Sequence, residues 1–220
     1  MEKYIPYIIA GAAALAVIAI LVLLKVLYQQ KLKKTGKDGE RMVAKKLKSF
    51  ARIRSYKVIN DLYLPLYDKT TQVDHVLIGF FGLLVVETKA SGGDIYGDLK
   101  ERTWLHTMGS KRHQMYNPLM QNQAHIDCIR HLLGKEKIYN VGIESAIVFT
   151  NKKANVYVPN NQPIYTFKEF KKLLKKPRFV EDKNFDVDAA YNALMKYRVT
   201  DPEKIAQHVD FVKDVARKKK

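Results

Sequence analysis

The chain has few of the residues that build cross-linked or metal-linked scaffolds. Cys128 is the single cysteine among 220 residues, which excludes an intramolecular disulfide and a cysteine-rich metal site. Acidic residues are scarce beside basic ones, because 22 Asp and Glu stand against 39 Lys and Arg, and the formal charge is +17. This imbalance predicts attraction to polyanions, of which nucleic acid and anionic lipid are the obvious candidates.

Two common catalytic signatures are also missing. The sequence contains no phosphate-cradling glycine loop and no serine nucleophile motif, which argues against a nucleotide hydrolase and an acyl-transfer enzyme. Internal repeats and low-complexity segments are absent as well. A length of 220 residues therefore predicts one globular core with a small appendage.

Charge is absent from Ile5–Leu24, a run rich in Ala, Ile, Leu and Val. About 20 apolar residues span a bilayer as a helix, so we predict a transmembrane anchor over residues 1–28 and a basic linker over 29–35. A cleaved signal peptide is the competing interpretation, but Glu2 before the run and the basic exit after it favour the anchor. Lysines cluster after the run, and this bias predicts a cytoplasmic globular part with the N terminus outside.

Apolar periodicity and turn residues predict an α-β-β-β order, then short strands, an α-β pair and finally helices. Helices are predicted over about Glu40–Phe50 and Leu119–Leu133, and strands over about Tyr56–Leu64, Thr71–Ile78, Leu83–Lys89 and Ile143–Thr150, with edge strands inside Asp94–Gln114. Capping signals at Thr166 and Asp201 predict helices in the tail. On the last of these helices, Val209 and Val212 belong to an apolar face that should pack inward.

The third predicted strand ends in charge where a buried strand should stay apolar. Residues two apart share a face, so Glu87 and Lys89 point to the same side. The segment Gly79-Phe80-Phe81-Gly82 marks a four-residue connection to the preceding strand. The resulting antiparallel register predicts Asp74 opposite Glu87. The same register predicts Gln72 opposite Lys89.

Two carboxylates facing each other across a sheet need a cation between them. Their β-carbons would lie about 5 Å apart, and like charges at that distance repel. Carboxylate oxygens with open water positions are the ligands that Mg²⁺ or Mn²⁺ takes. The alternative is an ordinary ion pair between Glu87 and Lys89 at the rim of the sheet, which would be the better interpretation for an isolated Glu-x-Lys pattern. The aspartate in register and the apolar flanks favour the cation site.

Two further polar residues lie on helix faces that should be apolar. Glu40 lies three residues before Val43, on the core-facing stripe of the first helix. Gln121 shares a helix face with Ala124 and Cys128. Each has an ordinary explanation alone, because a glutamate early in a helix favours the helix dipole and a glutamine there is often a rim residue. Their joint placement beside a carboxylate pair predicts that they belong to the same site.

Together these residues resemble the nuclease-related domain (NERD) family, placed within the PD-(D/E)XK nuclease superfamily. The resemblance covers roughly residues 36–170 and implies an α/β (α+β) fold with a restriction-endonuclease-like α-β-β-β-α-β core and a mixed central sheet. Residues 171–220 lie beyond it and are predicted as a C-terminal helical extension. The motifs that carry the resemblance are Gly39-Glu40, Val73-Asp74-His75, Glu87-Thr88-Lys89, Trp104 and Asn117-Pro118 with Gln121; Val73 stands where the superfamily has proline.

The resemblance implies a metal-dependent enzyme that hydrolyses phosphodiester bonds of DNA or RNA. Asp74 and Glu87 would hold Mg²⁺ or Mn²⁺, with Glu40 as an additional ligand. Lys89 would orient the attacking water or stabilise developing charge. Gln121 would position the lysine, the water or the phosphate.

Contacts to the nucleic acid are predicted at Lys111, Arg112 and Tyr116, where cationic and aromatic residues occur together; a solvated loop is the alternative. His75 and His125 are predicted to be structural. A second hypothesis is a catalytically silent, membrane-tethered module that binds nucleic acid, lipid or protein, and a third is a membrane-surface component whose charge serves lipids.

Overall fold

The fold was analysed in a computed structural model. It describes the backbone of residues 5–159 and 161–217, and the side chains of residues 15–28, 30–31, 34–159, 161–212 and 214. The helices are α1 (Ile5–Ala51), α2 (Pro118–Lys135), α3 (Phe167–Leu173), α4 (Val187–Lys196) and α5 (Pro202–Arg217), with a 3₁₀ turn at Pro177–Phe179. The strands are β1 (Lys57–Leu66), β2 (Lys69–Gly79), β3 (Gly82–Lys89), β4 (Gly93–Tyr96), β5 (Thr103–Met108), β6 (Lys111–Tyr116), β7 (Ile143–Phe149), β8 (Ala154–Tyr157) and β9 (Ile164–Thr166).

The chain divides between Asp38 and Gly39 into two compact units. The predicted basic linker, residues 29–35, is part of α1 rather than a separate connection. Within the first unit, apolar side chains such as Leu15 are largely exposed, 69% in that case. Among the residues whose placement is described, no helix has both the length and the apolar composition needed to cross a membrane. Residues 1–4 of the predicted anchor lie outside the described residues, and so do the side chains of residues 5–14.

The second unit is built on a mixed five-stranded sheet with the order β1-β2-β3-β7-β9. The first three strands are antiparallel, whereas β7 is parallel to β3 and β9 is parallel to β7. Helix α2 is the crossover between the parallel strands β3 and β7, as a parallel connection requires. The predicted α-β-β-β-α-β order and the mixed central sheet are therefore confirmed.

Helices cover both faces of this sheet. On one face α2 and α4 pack over a core that includes Val85, Ile129 and Leu194. On the other face α1 and α3 pack over a core that includes Leu84 and Phe170. Alternating strand residues thus enter opposite cores, as the period of a strand requires. Helix α4 supplies buried residues to the first core, and α3 supplies them to the second. The tail is therefore an integral part of the folded unit.

The polar stretch after β3 forms the predicted short strands, and with β8 they make a second sheet. Its order is β6-β5-β4-β8. Two of its residues, Ile95 and Trp104, are fully buried and pack against Ile147 and Phe149 of the central sheet. The indole N–H of Trp104 donates to the carbonyl of Asp98 at 2.9 Å, so the buried aromatic keeps its polar atom satisfied. The second sheet is inserted in the chain between the end of β3 and the start of α2.

Two helix predictions need correction. On α2 the predicted face is right for Cys128 and Leu132, which are buried, but Ala124 is exposed and the buried face also includes Asn122 and His125. On α5 the predicted inward face of Ile205, Val209, Val212 and Ala216 is wrong for Val209 and Val212, which are exposed. Ile205 is partly buried, and the side chain of Ala216 lies outside the described residues. The contacts of α5 with the sheet include those of His208 and Phe211.

Candidate active site

Asp74 enters the site where two strands of the central sheet separate. Regular pairing of β2 with β3 ends at His75 opposite Val86. One residue further, the Asp74 carboxylate accepts a hydrogen bond from the backbone N–H of Thr88 at 2.8 Å. Asp74 therefore reaches the end of β3 through its side chain, in place of a paired position in the ladder.

The predicted pairing of Gln72 with Lys89 is wrong. Gln72 instead donates from Nε2 to Asp61 Oδ1 at 2.7 Å. Asp61 has a φ of 53°, and the β1–β2 pairing skips this residue. A residue in the left-handed region interrupts the regular pleat of a strand. The β1–β2 ribbon consequently stops following β3 beyond Asp74.

Lys89, at the end of β3, connects a strand residue to a helix residue. Its Nζ donates to Glu87 Oε1 at 2.6 Å and to Gln121 Oε1 at 2.9 Å. Glu87 is almost completely buried, because β3 lies between β2 and β7. Gln121 lies in the first turn of α2. Three of the residues predicted for the site thus form a continuous hydrogen-bonded chain from β3 to α2.

The start of α2, and with it Gln121, is fixed by the fully buried Asn117. Its side-chain oxygen accepts from the backbone N–H groups of Leu119 and Met120, so it caps the first turn. Its side-chain nitrogen donates in the other direction, into the loop between β4 and β5. The acceptors are the carbonyl oxygens of Asp98 at 3.2 Å, Leu99 at 3.4 Å and Glu101 at 2.8 Å.

We expect Asn117→Ala to lower the free energy of unfolding by about 2–3 kcal/mol. The substitution removes a helix cap and leaves the carbonyl oxygens of the β4–β5 loop without the partly buried hydrogen bonds from Asn117. Chemical denaturation followed by circular dichroism measures this change. Thr166→Ala is the matched control, because Thr166 caps α3 at an exposed position and should cost about 1 kcal/mol. Equal losses for the two variants would contradict a role for Asn117 beyond capping.

Glu40 reaches the site from α1 because the preceding residue allows a close approach. Gly39 is buried, and a β-carbon at that position would press on Thr150 and Ala90, just beyond β7 and β3. The negative charge of Glu40 acts on both Asp74 and Lys89, raising the pKa of each group. The charges of Glu40, Asp74, Glu87 and Lys89 therefore act on one another, and Gln121 joins this cluster through its hydrogen bond with Lys89.

The charges of this cluster are not balanced. Burial raises the pKa of Glu87, but the Lys89 ammonium and His125 outweigh it, so the net shift is downward. Burial lowers the pKa of Lys89, but Glu87 and Asp74 reverse this and the net shift is upward. Burial and the charge of Glu87 raise the pKa of Asp74 well above its usual range. Glu87 and Lys89 form a charged pair, whereas the effect of the Lys89 charge on Asp74 is smaller than the opposing effects of burial and of Glu87.

His125 joins the site although its sequence position indicated only a structural role. Its Nε2 lies 3.4 Å from Glu87 Oε2, and its Nδ1 forms a 3.0 Å hydrogen bond with Thr71 Oγ1. The spacing from Gln121 to His125 is one helical turn, which was the available signal. By contrast, His75 contacts Asn60 at 2.8 Å, and burial lowers its pKa to about 4, so a neutral, structural His75 agrees with the prediction.

We expect His125→Ala to lower the free energy of unfolding by about 2 kcal/mol. The variant opens a cavity beside Glu87 and leaves the buried Thr71 hydroxyl without its partner. Thr71→Val, which removes the same hydrogen bond while keeping the volume, should cost about 1 kcal/mol. Urea denaturation of both variants and of the double variant measures the coupling. Strictly additive losses would show that the Thr71–His125 hydrogen bond does not stabilise the fold.

Residues 35–150 match the family described as the nuclease-related domain. They make up more than half of the 220-residue chain, and they include every residue of the cluster. The chain belongs to the nuclease-related domain family. It is also 28% identical over 204 residues to an uncharacterised protein of Bacillus anthracis, covering 90% of this chain and 93% of that protein. No solved structure matches the chain.

The nuclease-related domain offers oxygen ligands but not a ready-made metal cage. Within the described residues, no group of three or more His, Cys, Asp or Glu side chains is arranged to hold a metal ion. Glu87 Oε2 is nevertheless buried, with a long contact of 3.4 Å to His125 Nε2 and no hydrogen bond among the described residues, and burial and the charge of Glu87 raise the pKa of Asp74 beside it. Mg²⁺ commonly binds one or two carboxylates together with waters and substrate phosphates. The donor set therefore fits such an ion.

The predicted nucleic-acid contacts of the nuclease-related domain lie on a strand and not in a solvated loop. Lys111, Arg112 and Tyr116 all belong to β6. Because side chains alternate along a strand, Arg112 and Tyr116 share one face, whereas Lys111 points to the opposite face. All three side chains are exposed, and their contact with nucleic acid stays a prediction. Arg112 and Tyr116 remain a predicted pair on one face of the second sheet.

Proposed function

We propose that this protein is a metal-dependent nuclease that hydrolyses phosphodiester bonds of DNA or RNA. The observation that carries the proposal is the Glu87–Lys89–Gln121 hydrogen-bonded chain with the Asp74 carboxylate beside it. A purely structural ion pair would not need a second carboxylate whose charge is left unbalanced. Membership in the nuclease-related domain family supports the same chemistry.

The residues divide into a ligand side and a substrate side. Asp74 and Glu87 would hold Mg²⁺ or Mn²⁺, with Glu40 as a further or water-mediated ligand. The bound ion would lower the pKa of a coordinated water and offset negative charge at the scissile phosphate. Lys89, charged because its pKa is raised, acts as a donor that orients water or phosphate. Gln121 fixes the direction of the lysine ammonium.

The overall charge of +17 supports nucleic acid as the substrate. Phosphate neutralisation by Lys and Arg releases condensed counterions and gives affinity without base readout. Arg112 and Tyr116, on one face of β6, would contact the strand through its phosphates and bases. This arrangement favours a nuclease with little sequence preference.

The test is cleavage of labelled single- and double-stranded DNA and RNA by the purified full chain with Mg²⁺, Mn²⁺ or chelator. We expect metal-dependent cleavage that Asp74→Asn reduces by at least about 10²-fold, since it removes a ligand charge. Asp61→Asn is the matched control and should retain activity. Asp61 is an exposed acid whose side chain accepts a hydrogen bond from Gln72. If the wild-type chain cuts none of these substrates, the binding-only alternative takes the place of this proposal.

We also propose that Ile5–Leu24 anchors the protein in a membrane with the nuclease domain in the cytoplasm. The support is the uncharged apolar run with lysines after it, together with the exposure of the apolar side chains from Leu15 onward. Resistance of the protein to alkaline extraction from membranes, with an externally accessible N-terminal tag, is the expected result. Release into the soluble fraction would reject the anchor.

A further inference from the structure

A line of partly exposed side chains leads away from the site along β2. Thr70, Gln72 and Asp74 are partly exposed, whereas Thr71 and Val73 between them are buried. The three partly exposed residues therefore share one face of the strand. Four residues of strand correspond to about 13 Å, at about 3.3 Å per residue. A substrate held at Asp74 can follow this face to the β1–β2 turn.

The neighbouring strand β1 adds Tyr63 to this face, and helix α5 packs against Tyr63. Tyr63, opposite Gln72, packs edge-on against His208 of α5 with ring centroids 5.6 Å apart. His208 also bonds the Thr70 carbonyl oxygen at 2.8 Å. Tyr63 is buried, and its partner Gln72 lies two residues from Asp74 along β2. Helix α5 is thus fixed beside the route that leaves the site.

A cleft of about 410 Å³ opens at the end of this route, between the β1–β2 turn and α5. Its chemistry is basic and aromatic. Lys69 lies 4.1 Å above the ring of Phe211, and Lys204 contributes a second cation, against the single acid Asp68. Cations beside exposed rings are the combination that binds a nucleic-acid strand, since phosphates and bases are recognised together.

Tyr67, at the turn, is exposed where an aromatic residue has no packing reason to be. It is 98% exposed and has a φ of 53°, a conformation in which glycine or asparagine is favoured. An unfavourable backbone conformation kept by a bulky exposed residue is consistent with a binding role. Tyr67 also lines the cleft.

We propose that this cleft binds the phosphates and bases of a single nucleic-acid strand as it leaves the site. Lys69 and Lys204 contact phosphates, and Tyr67 and Phe211 stack on bases. The inference rests on the proposed nuclease function, whose cluster defines the origin of the route. It assigns a binding role to α5, which lies outside the residues matched by the family.

The test measures binding without cleavage. A fluorescently labelled single-stranded DNA or RNA oligonucleotide is titrated with the full chain in chelator, and anisotropy is recorded from low to high salt. We expect Lys69→Gln with Lys204→Gln to weaken binding about 10-fold. The slope of log K against log salt should fall by about 1.4, that is about 0.7 for each lost contact with a single strand.

Lys168→Gln with Lys171→Gln is the matched control. Both lysines lie on α3, and Lys171 sits 5.4 Å from the Phe167 ring, so the control removes the same charge and a similar cation–aromatic contact. The control should leave the affinity within about twofold and the slope unchanged. Equal losses for the two double variants would show that only overall charge matters and would overturn the proposal.

Tyr67→Gly separates binding from stability, because it relieves the backbone strain while removing the ring. We expect an unchanged or higher melting temperature together with an affinity at least about threefold lower, and Tyr67→Phe should bind like the wild type. Unchanged affinity of Tyr67→Gly would remove the stacking role and overturn the proposal.

Phosphatidylserine vesicles test lipid as the alternative ligand of the cleft. If the wild type binds the vesicles, the cleft variants do not, and all of them bind nucleic acid equally well, the cleft is a lipid site and the proposal is overturned.

The cleavage assay distinguishes the two proposals. Cleavage with no effect of the cleft variants on binding would reject the cleft and leave the nuclease function intact. Cleft-dependent binding by a chain that cuts nothing would reject the nuclease function and keep the cleft as a nucleic-acid site. Absence of nucleic-acid binding by the wild-type chain would overturn the cleft proposal directly.

Discussion

Lys89→Met is expected to reduce metal-dependent cleavage by about 10²–10³-fold, the loss typical of one preorganised donor to developing charge. Lys89 is the residue that joins Glu87 to Gln121, and its raised pKa keeps it charged. Methionine has a similar length but no donor. Single-turnover cleavage of a labelled oligonucleotide measures the effect, and Lys100→Met, at an exposed loop position, is the matched control.

The same substitution also threatens the fold, since it leaves the buried Glu87 without its cation. Breaking a buried ion pair costs about 3–5 kcal/mol. The double variant Glu87→Gln with Lys89→Met removes both charges and should regain most of this stability while remaining inactive. Melting temperatures of the single and double variants separate loss of fold from loss of chemistry. A folded Lys89→Met protein that cuts at the wild-type rate would reject the assigned role of Lys89.

Gly82→Ala is expected to lower the free energy of unfolding by about 3–5 kcal/mol. Gly82 has a φ of 110°, and a β-carbon there would collide with the carbonyl oxygen of Gly142. Strained backbone and steric overlap each cost about 1–3 kcal/mol. That carbonyl also accepts from the N–H of Leu83 at 2.9 Å, so it cannot move away freely. Urea denaturation measures the loss.

Gly109→Ala provides the comparison for Gly82→Ala. Gly109 also has a positive φ, 60°, but a β-carbon there meets nothing within 4 Å, so only the backbone strain of about 1 kcal/mol is expected. Gly82 pairs with Gly79 at the end of the β2–β3 hairpin, which sets the register that brings Asp74 to the end of β3. A loss for Gly82→Ala no greater than that for Gly109→Ala would show that the end of the hairpin accommodates the β-carbon without loss of folding free energy.

The hairpin shows how far a sequence pattern can predict the site. The glycines correctly gave the pairing of Ile78 with Leu83 and of Val76 with Val85. They did not give the end of that pairing at His75 opposite Val86, because strand alternation does not encode where two strands separate. Asp74 and Glu87 were therefore predicted to be close, but the contact through Thr88 N–H was not predictable from alternation alone.

Contacts between distant segments were the least predictable. Nothing in the spacing of Thr71 and His125 indicates that they meet beside Glu87, 54 residues apart in sequence. Likewise, Lys111 and Arg112 looked like one basic cluster, and only their position on a strand places them on opposite faces. The cleft between the β1–β2 turn and α5 depends on how the last helix packs, which the apolar pattern of that helix predicted wrongly.

The sequence by itself predicted the α-β-β-β-α-β order and grouped Glu40, Asp74, Glu87, Lys89 and Gln121, because strand and helix periods fix which residues share a face; the family followed from the resemblance of its motifs. Only the tertiary structure decided which of these charged side chains pair with each other and which other residues surround them. Burial, ion pairing and backbone strain depend on which segments pack together, and packing is a property of the whole chain that no local period encodes.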